Sequence, residues 1–110
     1  MEASRLQIKE ELLLAKQSRL EGNEGRARVC ARRAAGAAVQ EYFQKNEKTQ
    51  EQENAIESLL VLSQVTKLPA RVQEAVNWLV QRVNPDHNLP PGVDLIHEAG
   101  VVIQYLEENE

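Results

Sequence analysis

The 110-residue chain is poor in the residues that most often carry recognisable chemistry: one cysteine, one tryptophan, one phenylalanine, two tyrosines and two histidines. A lone Cys30 excludes an internal disulfide and any zinc site built from thiolates. An aromatic content of 4% is too thin for a platform on which nucleic-acid bases stack. No stretch approaches the roughly 18 apolar residues of a membrane span. The N-terminus MEASRLQIKEELLL lacks a basic region followed by an apolar core. A soluble, cytoplasmic protein with no membrane partner is therefore expected. There is also no glycine-rich phosphate loop, no His-x3-His or Glu-x2-His metal pair and no nucleophile elbow, so no cofactor and no metal are expected. Strand-like alternation, solenoid repeats and low-complexity segments are missing as well. Helical periodicity is what remains.

The most unusual helix spans Asn23 to Asn46. Ala27, Ala31, Ala34 and Ala38 fall at i, i+4, i+7 and i+11 and form one seam of small side chains against which another backbone can come close. Val29, Gly36 and Phe43 recur at seven-residue intervals on a different side, beside Val39, which marks a central helix with two packing faces. Arg26 and Arg33 run along one border of these faces, and Arg28 and Arg32 along the other. The net charge of −4 thus hides a local positive surface, because acid is concentrated at the chain ends and in the connection near residue 50. Cys30, next to the seam, reads as a small buried residue rather than a reactive thiol.

The other helices follow from spacing and punctuation. Leu6, Leu13 and Leu20 at heptad spacing, widened by Ile8, Leu12 and Ala15, predict a first helix over about Ser4 to Leu20 with its apolar side defined by those residues. Gly22 can take the left-handed conformation at its end, and Asn23 can cap the next helix, giving an antiparallel hairpin. Thr49 and Gln52 resemble a capping box, so a third helix is expected over Gln50 to Val65, with Ile56, Leu59, Leu60 and Leu62 inward. Pro69 opens a fourth helix carrying the stripe Val72, Ala75, Val76, Leu79, Val80 and Val83. Trp78 lies off that stripe between Arg71 and Arg82, where it is either a second internal contact or part of a partner interface. Three prolines between Asn84 and Gly92 forbid continuous helix there. The last helix, Val93 to Glu107, buries Leu95, Ile96, Ala99, Val102, Ile103 and Leu106, and Gly100 within it suggests a close helix approach. His97 reads as a surface or boundary residue.

Five helices in this order resemble the HEPN family of small helical-bundle domains. Three places carry the resemblance: the alanine spacing of Ala31-Arg32-Arg33-Ala34-Ala35 and Ala38, with arginines where glutamines are common; Asn54-Ala55-Ile56, where members often open the third helix with His-Asp-Leu; and Arg82-Val83-Asn84-Pro85-Asp86, where many have Arg-Tyr-Pro-Asp. The resemblance implies an all-α, five-helix up-and-down bundle of HEPN type, a single domain over residues 1–110. It further implies RNA or nucleotide binding, a nucleotidyltransferase-type protein partner as in toxin–antitoxin modules, or RNA cleavage. Ribonuclease members carry Arg, four to six residues, then His, a spacing that Arg82 and His87 meet.

Chemically, His87 would act as acid or base near neutral pH, and Arg82 would hold phosphate oxygens in a metal-independent cleavage completed by a homodimer. Against that stand Val83 and Pro85 between the two, and the ordinary alternative of an exposed turn histidine with Arg82 paired to Asp86 or to a helix C-terminus. Three readings therefore enter the structure. One is an RNA- or nucleotide-binding module using Arg28, Arg32, Arg71 and Trp78, homodimeric through the second face of the central helix or the Trp78 side. The second is a ribonuclease using Arg82 and His87. The third is a helical protein-interaction adaptor.

Overall fold

The computed structural model of the chain describes residues 2–45, 54–81 and 93–109. Among these residues the protein is all-α, with five helices: α1 (Glu2–Leu20), α2 (Glu24–Lys45), α3 (Ala55–Val65), α4 (Ala70–Val80) and α5 (Leu95–Glu108). α2 is the shared element. α1 runs along it on one side, α5 and α3 cover its other sides, and α4 closes the domain by packing on α5 and α3.

The hairpin forms as its sequence dictates. Gly22 has φ +83°, which lets Asn23 N–H reach the carbonyl of Ser18 at 2.8 Å and Gly22 N–H that of Arg19 at 3.0 Å, the paired bonds that satisfy the last carbonyls of a helix ending in glycine. The Asn23 side chain then turns outward as a cap and accepts the Arg26 N–H at 3.1 Å. Two residues therefore finish one helix and begin the next.

The alanine seam is buried as expected, with Ala27, Ala31 and Ala34 at 0% exposure. What it receives from α1 differs from expectation. The buried side of α1 is Ile8, Ala15 and Ser18, whereas Leu6, Leu13 and Leu20 are 57%, 65% and 88% exposed. Small residues on α2 leave a shallow groove, and a close approach needs small residues from α1 as well. Ile8 is the one large side chain that α1 buries there, and the heptad leucines face away.

On the second face of α2, Gly36, Val39 and Phe43 are buried and Val29 is 40% exposed. α3 occupies this face: a Cβ built on Gly36 would lie 2.7 Å from Ala55 Cβ and 2.8 Å from its Cα. The close helix approach is thus at Gly36. Gly100, where one was expected, has nothing within 4 Å of such a Cβ.

α3 starts at Ala55 rather than at Gln50. Asn54 has extended backbone and its side chain accepts the Glu57 N–H at 2.9 Å, a cap that fixes the start; Thr49 and Gln52 lie outside the described residues. Asp94 caps α5 in the same way, accepting from Ile96 and His97. The core joins Leu59 and Leu62 of α3, Val72, Ala75, Val76 and Leu79 of α4, and Leu95, Ala99, Val102 and Leu106 of α5 around Val39 and Phe43. Leu60, placed inward by its spacing, is 44% exposed.

Candidate functional site

Of the arginines expected to form a binding surface, Arg32 and Arg71 are engaged within the domain. Arg32, at the middle of α2, sends its guanidinium to the end of α4, where Nε donates to the Leu79 carbonyl at 2.6 Å and a terminal nitrogen donates to the Gln81 carbonyl at 2.7 Å. A cation on the last carbonyls of a helix is favourable for both partners. Arg71 forms a two-pronged pair with Glu98, at 3.0 and 2.6 Å. The Glu98 side chain is only 6% exposed, so this pair neutralises a buried carboxylate, and that carboxylate raises Arg71 above the ordinary arginine range. Arg28 lies 4.0 Å from Glu24 on the same helix.

Trp78 is half-buried: it packs against the core cluster and leaves part of its side chain at the surface. Arg28 and Arg32 share a border of α2, Arg71 faces the start of α5, and Trp78 belongs to the packing of α4. Arg82 and His87 lie outside the described residues, as does the loop between Asn84 and Gly92. His97 is exposed.

Other charged side chains form interhelical ties. Arg19, at the end of α1, binds both Glu24 at the start of α2, 2.6 Å away, and Asp94, the cap of α5, at 2.9 Å. The bond to Glu24, then that to Asp94, raise the Arg19 guanidinium above its usual range; in turn, the bond from Arg19 holds Asp94 below the ordinary carboxylate range, against the opposing effect of burial. Glu41 is buried and takes Arg5 at 3.2 Å and Lys45 at 3.0 Å. Beside it, a crevice between α1, α2 and α5 has a volume of about 10 Å³, room for one water and no ligand.

Cys30 is 2% exposed. Burial first, and then the neighbouring Glu11 carboxylate, push its thiol above the ordinary value, which is the opposite of an activated nucleophile. Among the described residues no group of three His, Cys, Asp or Glu side chains is placed to hold a metal ion. No helix there is long and apolar enough to cross a membrane.

What the structure does present is an apolar stripe. Leu6, Leu13 and Leu20 stand on the outer side of α1, about 160° around the helix from Ile8 and Ala15. Lys9 and Lys16 flank them on one side, and Glu10 and Gln17 on the other, all four exposed. The sequence carried a signal for this arrangement: α1 bears two apolar or small faces, Leu6/Leu13/Leu20 and Ile8/Ala15/Ser18, and only the second matches an alanine seam in size. Comparison of the chain with family models, with curated proteins and with solved structures gives no match.

Proposed function

We propose that the domain is a helical protein-interaction module of HEPN type, docking through the outer face of α1. The observation that carries this reading is the exposure of three leucines in one line on a surface helix whose opposite face is already packed. Single exposed leucines are ordinary on a protein surface; three in register, rimmed by charge, are what a partner helix recognises. The HEPN assignment is supported by the five helices in the expected order and by the alanine-bearing second helix at their centre.

RNA or nucleotide binding along Arg28, Arg32 and Arg71 draws less support, because two of the three guanidinium groups, those of Arg32 and Arg71, are already hydrogen-bonded to carbonyls or to a buried carboxylate and must leave that partner before meeting a phosphate. A homodimer through the second face of α2 draws less support too, since α3 packs on that face at Gly36.

Site-specific photo-crosslinking in living cells tests the reading. A photoreactive residue replacing Leu13 is expected to form a protein adduct, and the same residue replacing the exposed Gln104 on α5 is expected to form none. The adduct should disappear when Leu20→Glu is added. Equal labelling at both positions, or no adduct at Leu13, would overturn an interaction role for this face.

A further inference from the structure

We infer that the partner of the α1 face is a second copy of this chain, with the two α1 helices parallel; this rests on the interaction reading above and names its occupant. Charge and symmetry select that occupant. The stripe Leu6, Leu13, Leu20 has a basic border, Lys9 and Lys16, and an opposite border begun by Glu10. When two identical helices face each other parallel, a two-fold axis along them carries the Lys9/Lys16 border of each onto the Glu10/Gln17 border of the other. Lys9 then meets Glu10 of the second copy on both sides of the seam, and each leucine meets its own counterpart.

An antiparallel pair has its two-fold axis across the helices, and like borders coincide. Lys9 would then stand beside Lys16 of the second copy, twice. Like charges in register oppose that arrangement, and the charges of the stripe therefore favour the parallel orientation.

Size sets the strength. α1 is 19 residues long, about 28 Å, and pairing the leucines together with the flanking lysine stems hides roughly 1,000 Å² in total, the lower end for a specific contact. A contact of that size is expected to be reversible, so the pair should form as chain concentration rises. The packed face of each α1 lies behind the seam, so the two domains sit on its outer sides and do not obstruct it.

Sedimentation equilibrium at rising concentration is expected to approach twice the 12.4 kDa chain mass. Lys9→Glu should weaken the pair about ten-fold, because the introduced carboxylate would then face Glu10 of the second copy. Glu10→Lys should do the same, and a mixture of the two variants should associate more tightly than either alone. An antiparallel pair makes the opposite prediction for Lys9→Glu, which would bring a carboxylate to Lys16 of the second copy and tighten association. In a Cys30→Ser background, Leu6→Cys should oxidise to a disulfide-linked dimer, since parallel helices bring position 6 of one chain to position 6 of the other.

Each other outcome overturns a distinct claim. A chain that stays at monomer mass to high concentration, yet is crosslinked at position 13 to a different protein, ends the second-copy inference and keeps the interaction reading. Monomer mass with no adduct ends both. Association that Lys9→Glu strengthens ends the parallel alignment.

Discussion

Replacing Gly36 by alanine puts the closest helix contact of the domain to a quantitative test. In an unencumbered helix interior, alanine is favoured over glycine by about 1 kcal/mol. At Gly36 the new methyl would sit 2.7 Å from Ala55 Cβ and 2.8 Å from Ala55 Cα, about 1 Å inside the ~3.5–4.0 Å optimum for carbon atoms. Ala55 Cα is backbone at the first turn of a capped helix, so it has no rotamer through which to yield. Relief requires α3 to move off α2, an overpacking cost of about 1–3 kcal/mol. The net expectation is a loss of about 1 kcal/mol, or about 5 °C in Tm for a domain of this size. Gly100→Ala is the internal control: it makes the same chemical change in α5 with nothing within 4 Å, and should gain about 0.5–1 kcal/mol. Urea denaturation followed by far-UV circular dichroism, with the slope m unchanged, reads both variants. If Gly36→Ala were as stabilising as Gly100→Ala, the contact between α2 and α3 would be looser than described.

Three further outcomes follow from the ties between helices. Arg32→Ala removes two charged hydrogen bonds from the end of α4 and should cost about 1–2 kcal/mol in the same denaturation assay; an unchanged midpoint would return Arg32 to the candidates for ligand binding. Asn54→Ala, which deletes the cap of α3, should cost about 1 kcal/mol, and a Thr49→Ala variant that cost as much would argue for the earlier helix start. Asp94 is held below the ordinary carboxylate range chiefly by Arg19. Its contribution to stability is therefore present above the unfolded carboxylate pKa and is lost as pH falls through the lower folded value. Arg19→Ala should flatten stability against pH over that acidic window and cost about 1 kcal/mol at neutral pH, a modest amount because both ion pairs are partly exposed. An acid limb identical to that of the unsubstituted chain would remove the tie from the account.

Much of the fold was legible because it rests on local rules. The Gly22-Asn23 turn, the burial of the alanine seam and the stripe on α4 depend on backbone conformation and helical period, which short stretches of sequence state directly. Where the structure departs from expectation, the outcome turned on which of two plausible faces finds a partner. Heptad leucines on α1 are more apolar than Ala15 and Ser18, and it takes the neighbouring α2 to decide that the face with Ile8, Ala15 and Ser18 goes inward. Asn54 and Thr49 are both acceptable caps three residues ahead of Gln or Glu, and local sequence gives no means of choosing. Gly36 and Gly100 look alike within their helices until a neighbouring backbone is placed beside one of them. The arginines stand out in the sequence, but their acceptors do not: those of Arg32 lie 47 and 49 residues away, and Glu98, the partner of Arg71, lies 27 residues away.

The alanine seam determines what kind of order the centre of the domain can have. A methyl side chain has no rotamers to lose, so burying Ala27, Ala31, Ala34 and Ala38 costs no side-chain entropy, and it also removes little apolar area per residue from water. Such a seam provides closeness more than it provides grip. With Ile8 the one large side chain that α1 buries along that length, the axial register of α2 on α1 leans on contacts near its ends, the Arg19 clamp on Glu24 at one and the Glu41 ties to Arg5 and Lys45 at the other. Substitutions at those two ends are therefore expected to loosen the register of α2 on α1 more than alanine-to-glycine changes within the seam.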